Sequence, residues 1–366
     1  MERYAEDPHA SYTDTSLEFS GIGELQQPER VWRDRYFFLK ECGYTLRPRY
    51  HPEWKPSWLG TGLPADIFED CIMSLNSKVL DAVRTKDSYR VFIKVVDRPE
   101  EIQIARMLSA KSLSSSPNNH CVPVLDVLTD PVEPSQNLLV MPYLRPFYDP
   151  PFEVVEEVLD FIKQTLEGLA FVHSQRVAHR DCSTMNIMMD GRPLYPDDHH
   201  PQQRHLTPDT SRYARHLSRL DHPVKYYYID WGMSSHFDEG DSPNVLGAQG
   251  ADQDAPELSN VCPYNAFMLD IFILGHLYEV NFLQVYHGLD FLQPLVIAMM
   301  REQPERRPTA EAALRTFNDI RQKLTNTHLP WRLRKRAESG TERVVYDTLS
   351  AAKVGFKLVR RGLIGT

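Results

Sequence analysis

Apolar and polar positions repeat in two different registers along this chain. Val79–Val83 and Tyr89–Val96 are strand-like runs separated by the polar stretch RTKDS, which predicts a hairpin with RTKDS as its turn. Pro99 then opens EEIQIARMLSA, where Ile104, Met107 and Leu108 recur at helical steps. CVPVLDVL and NLLVMPYL read as further strands joined by a polar, proline-bearing connection. In VVEEVLDFIKQTLEGLAFVHSQ, residues Val155, Val158, Leu159, Ile162, Leu166 and Leu169 recur three or four apart, which predicts a long amphipathic helix. VKYYYI is strand-like and stops at Asp230. Ala266–Leu283 is apolar on nearly all sides, as a helix through the middle of a lobe would be. Residues 309–325 carry another helical pattern. Strands and one helix therefore come first and helices follow, an α+β order with no internal repeat.

The flanks read differently. Residues 1–30 are polar and poor in β-branched residues, and a disordered tail is expected there. Residues 31–78, rich in Trp, Tyr, Pro and Arg, read as an ordered N-terminal extension packed on the first lobe. Residues 191–224 form a loop-like insertion rich in His, Asp, Pro and Arg. Its cluster Asp197, Asp198, His199, His200 and His205 lacks the spacing of a zinc site and is expected as a solvated loop. Residues 326–366 form a basic tail, with RLRKR at 332–336 expected as a solvated helix end. A membrane-surface helix in the last residues is the less favoured reading, behind docking or disorder.

Composition narrows the class. At 366 residues and 42% apolar, the chain has enough material for one bilobal domain or two small ones. The formal net charge of -9 argues against a dedicated nucleic-acid binder. Five scattered cysteines without CxxC spacing point to a reducing compartment. The N-terminus has no apolar core of a secretory signal, so an intracellular protein, cytoplasmic or nuclear, is expected. The apolar stretch Ala266–Leu283 is interrupted by Asp270, His276, Glu279 and Asn281, so no membrane span is expected.

The chemistry concentrates in VAHRDCSTMNIMMD, from Val177 to Asp190, which sets His, Arg, Asp and Asn on a short loop between apolar patches. His179-Arg180-Asp181 with Asn186 matches H-R-D-x-x-x-x-N. Asp230-Trp231-Gly232 matches D-F-G with Trp for Phe, and Ala255-Pro256-Glu257 matches A-P-E. Val91-Phe92-Ile93-Lys94 matches V-A-I-K, and Glu101 stands where a helix glutamate would pair with Lys94. Asp270 to Gly275 is similar to D-x-W-x-L-G, and PERRPTA carries Arg307, a partner for Glu257. In this order the motifs resemble the protein-kinase superfamily from roughly Val79 to Leu324, and within it a kinase-like family common in fungi.

That resemblance implies a bilobal fold, with a small β-rich N-lobe over 79–141 and a larger helical C-lobe over 142–325. It implies ATP and Mg²⁺ as cofactors and a protein Ser/Thr acceptor. Asp181 would accept the acceptor proton, Asn186 and Asp230 would hold Mg²⁺, and Lys94, oriented by Glu101, would meet the phosphates. Arg180 would hold an acidic or phosphorylated group of the activation segment 233–254, whose hydroxyls are Ser234, Ser235 and Ser242. Backbone groups in the hinge Met141-Pro142-Tyr143-Leu144 would read adenine, with Met141, Pro142 and Leu144 as its binding residues.

Departures from the pattern keep two alternatives open. About 22 residues before Lys94, where the glycine-rich loop would begin, the chain reads IMSLNSKV without a glycine. Phe92 replaces a small alanine and either stacks on the base or fills its space. These two features favour a pseudokinase, a binding module with weak catalysis or none. Ser183, where Ser/Thr kinases carry lysine, and the insertion favour a small-molecule phosphotransferase.

Overall fold

The computed structural model describes residues 21–324, 332–345 and 347–348 of the chain. It is a mixed α+β protein, as the pattern predicts. The expected disordered tail needs correcting at its inner end. Residues 21–30 are ordered and lead into helix α1 (Gln27–Arg33), while 1–20 lie outside the described residues. The cause is a capping box: Glu29 reaches back to the Gln26 backbone N–H at 3.0 Å.

The chain divides into two compact units, and not at the expected 141/142 boundary. The first comprises Met1–Arg90 and His199–Ala214; the second comprises Val91–Asp198 and Arg215–Thr366.

In the first unit, α1 and helix α2 (Tyr36–Glu41) bury Trp32 and Leu39. Strand β1 (Tyr44–Thr45) pairs antiparallel with β2 (Val79–Arg84). Glu29 and Arg49 are both 0% exposed and form a two-pronged ion pair at 2.7 and 2.9 Å. Arg49 also donates to the Asp70 carbonyl and lies over the Trp54 ring. The expectation of a solvated loop holds for Asp197, Asp198 and His205, which are exposed, and is corrected for the other two histidines. His199 and His200 are buried, His200 Nε2 lies 3.0 Å from Glu69, and Gln202 donates to Asp81 at 2.9 Å. These polar partners explain why a histidine-rich stretch is held inside without a metal-type spacing.

Strand β3 (Tyr89–Val96) carries the chain into the second unit. Helices α3 (Pro99–Leu108) and α4 (Lys111–Ser114) follow, then β4 (Asp126–Thr129) and β5 (Asn137–Pro142). β5 pairs antiparallel with both β3 and β4. Strand β6 (Arg145–Pro146) precedes helix α5 (Val155–Ser174), whose predicted apolar face is fully buried. Strands β7 (Val177–Ala178), β8 (Ile187–Met189), β9 (Tyr226–Tyr228) and β10 (Ser235–His236) follow. β8 pairs with β6 and β9, and β7 with β10, so the 177–190 loop is pinned at both ends. The hairpin β11 (Asn244–Gly247) and β12 (Ser259–Asn265) leads to helix α6 (Ala266–Tyr278).

A π turn, Glu279–Leu283, continues α6. By length and composition alone Ala266–Leu283 is apolar enough to cross a membrane, but 67% of it is buried, and Asp270 inside it is fully buried and hydrogen-bonded. It is a core helix. Strand β13 (Tyr286–His287), helix α7 (Gln293–Met299), helix α8 (Ala310–Lys323) and strand β14 (Arg334–Lys335) complete the unit. β14 pairs with β13, and Leu333 beside it is buried, so RLRKR is a docked strand rather than a solvated helix end. Most of the proposed terminal amphipathic segment, 349–366, lies outside the described residues.

Candidate functional site

All nine residues singled out from the sequence fall in the second unit. β3 aligns Lys94 opposite Leu139 of β5, and its neighbours Ile93 and Val95 are buried. Lys94 Nζ lies 2.6 Å from Glu101 Oε1 and 2.8 Å from Asp230 Oδ1. Glu101 comes from the first turn of α3, which Pro99 starts. Asp230 follows β9 with φ at 63°, and its Oδ1 also accepts from the Gly232 N–H at 3.1 Å. A Cβ at position 232 would stand 3.0 Å from Asp230 Oδ1 and 3.2 Å from Glu101 Oε2, so glycine is what lets the two carboxylates close on one amine.

Charge is arranged accordingly. Burial works against the Lys94 ammonium, but Glu101 and Asp230 outweigh it and hold the amine above its ordinary range. Burial dominates at Glu101 and raises it despite Lys94. At Asp230 burial is the largest influence and pushes upward, yet Lys94, the Gly232 N–H and His179 together bring the carboxyl below its usual value. Asp230 is therefore the firmly ionised member.

The second cluster is the 177–190 loop. Asp270 of α6, 0% exposed, accepts from the His179 N–H at 2.8 Å and the Arg180 N–H at 2.6 Å, and lies 2.9 Å from His173. His179 donates from Nε2 to the Ile229 carbonyl at 3.0 Å, tying this loop to the residue before Asp230. Asn186 Nδ2 donates to the Asp181 carbonyl at 2.9 Å and to its Oδ2 at 2.8 Å. Asp181 Oδ1 accepts from the Ala251 N–H at 2.9 Å. Burial raises the Asp181 carboxyl, helped by the charge of Asp230, against the pull of Ala251, His179 and Asn186. The result is a positioned carboxylate more basic than an ordinary aspartate.

Arg180 donates to the carbonyls of Leu246 and Met233 and to Ser235 Oγ, so the stretch 233–246 already occupies it. Ser234 is buried and donates to the His179 carbonyl, while Ser242 is exposed. Arg307 and Glu257 form a buried ion pair, with Nη2 and Oε2 at 2.8 Å. Met141 and Leu144 join an apolar cluster with Val96, Ile102, Val122 and Leu139. Phe92 stacks on Tyr143, ring centroids 4.6 Å apart at 27°.

No family model matches the chain, and no curated protein matches it. The sequence reading missed two parts of this arrangement. The Ala251 N–H that orients Asp181 has no side-chain signature. Asp252 and Asp254, two carboxylates just before Ala255, were legible as DQD and lie with His276 beside the same loop.

Proposed function

We propose that this chain is a phosphotransferase of the protein-kinase type, using ATP and Mg²⁺ to phosphorylate a protein Ser or Thr. The single observation carrying the reading is the Lys94 amine held between Glu101 and Asp230, in the same unit as an Asp181 carboxylate fixed by Asn186 and Ala251.

The residues fit the implied cofactors. Asp230 keeps Oδ2 outside its bonds to Lys94 and Gly232, and Asn186 commits its amide nitrogen to Asp181, which leaves its oxygen as an acceptor. Two hard oxygen donors suit Mg²⁺. Bound MgATP supplies the phosphoryl group and neutralises its developing charge. Lys94 binds phosphate oxygens as a cation whose direction Glu101 sets. Asp181 orients the acceptor hydroxyl and takes its proton. Asp270 keeps the loop backbone in place, and backbone groups of the hinge residues Met141, Pro142 and Leu144 would hold the base.

Phe92 supports a second reading. Its ring, stacked on Tyr143 of the hinge, together with the glycine-free IMSLNSKV, favours a pseudokinase that binds a partner with weak catalysis or none. Transfer of labelled phosphate from ATP to a protein and peptide panel separates the two. Wild type should label acceptors and Asp181→Asn should lose at least about a hundredfold in rate. Equal, background-level labelling by both proteins would refute the enzyme reading.

A further inference from the structure

Beside Asp181 the second unit holds a cavity of about 260 Å³. Its lining includes the aliphatic Ile273 and Leu277 of α6 and Val280 of the π turn, the carboxylates Asp252 and Asp254, and Ser183 and His276. Val280 belongs to the π turn, a distortion common at functional sites. Ser183 lies two residues after Asp181, and Ala251, which also lines the cavity, donates its N–H to Asp181.

We propose that this cavity is an acceptor-recognition pocket that takes a lysine or arginine side chain next to the hydroxyl to be phosphorylated. The inference rests on the phosphotransferase reading and names its substrate class. Three observations carry it. The volume is several times the roughly 30 Å³ share of one water, far more than a bare ion needs. Aliphatic side chains and carboxylates sharing one lining match a side chain with an alkyl stem and a cationic head. Ser183 is only 8% exposed, and its hydroxyl has no partner among the described residues. A buried hydroxyl left without a partner is costly, and a donor from the ligand would satisfy it.

Asp252, Asp254 and His276 also gather closely enough to hold a metal ion, so zinc is the competing occupant that the test below must separate. His276 donates from Nδ1 to Asp252 at 2.7 Å, and its Nε2 faces Asp254 at 3.4 Å. The groups facing His276 are Asp252, Asp254 and Glu279, and the Asp252 hydrogen bond is the largest influence raising its pKa. Against the two carboxylates of the lining, a protonated His276 leaves one negative charge for an incoming cation. An incoming ammonium repels the imidazolium and favours its neutral form. By linkage, the basic side chain binds more tightly as pH rises through the His276 pKa.

The test uses two fluorescent serine peptides, one with lysine on each side of the serine and one with norleucine, which keeps the stem and drops the charge. Fluorescence polarisation with the full chain should show the lysine peptide bound about tenfold tighter, a gap corresponding to ~1.4 kcal/mol. Asp254→Asn, at an exposed carboxylate, should erase most of that gap, and the gap should widen from pH 6 to pH 8 except in His276→Gln. Equal binding of the two peptides, or a gap untouched by Asp254→Asn, would overturn the proposal. So would zinc binding that displaces the lysine peptide. Phosphate transfer to the same peptides keeps the two readings apart. Charge-selective binding without transfer leaves the pocket standing and sinks the enzyme reading; transfer indifferent to charge does the reverse.

Discussion

Arg180 has φ at 67°, a conformation that costs a side-chain-bearing residue about 1–2 kcal/mol. Two N–H bonds to the Asp270 carboxylate offset that cost and set the direction of Asp181 next to it. Asp270→Asn places an amide where both oxygens accept, and should lower stability by about 3 kcal/mol in urea titration. An unchanged midpoint would show that the loop does not depend on Asp270. Asp181 itself sets a pH expectation. Its carboxyl is raised, chiefly by burial, so the acid limb of kcat/KM should lie above the usual aspartate range. Asn186→Ala removes an N–H bond to the ionised form and should move that limb further upward, never down. At this scale the sequence is most informative where partners are close in the chain. His179, Arg180, Asp181 and Asn186 are legible together, whereas the bond from Asp270 arrives from 90 residues away.

Helix α5 was legible because its apolar repeat is long and its buried face is continuous. Its sharpest constraint, Gly168, is visible only in the structure. A Cβ there would stand 2.7 Å from His120 Cβ and 2.9 Å from the Tyr228 ring. Gly168→Ala should therefore destabilise the fold in thermal melts, although alanine in a free helix would stabilise by about 1 kcal/mol. His120, pressed between α5 and β9, has its pKa lowered to about 4 by burial. Unfolded, it takes up a proton near its ordinary 6.5; folded, it does not until about 4. Stability is thus lost as pH falls through that window, by about 3 kcal/mol if the full shift is realised. His120→Gln should flatten this acid loss in denaturation curves at pH 7, 6, 5 and 4. Short elements were the least legible. α1 is only seven residues long and shows itself through the Gln26–Glu29 box rather than through an apolar repeat, while β14 is a basic stretch recruited by pairing with β13.

Over the whole molecule, the informative feature is the return of residues 199–214 to the first unit. Neither composition nor periodicity reveals it, because the partners are single polar groups, Glu69 and Asp81, more than a hundred residues away. His200→Ala with Gln202→Ala leaves both carboxylates short of a donor. Hydrogen exchange should then quicken in residues 65–84, while the second unit keeps its protection; uniform quickening, or none, would refute the local coupling. The chain crosses from one unit to the other after residues 90, 198 and 214. A ribosome making this protein releases the first unit's residues up to Arg90 early, yet their remaining sixteen-residue piece, 199–214, emerges only after residues 91–198 of the second unit have been made. During that interval the nascent chain holds an unfinished N-terminal body, a natural target for chaperones, and a premature stop before codon 199 would leave it permanently incomplete.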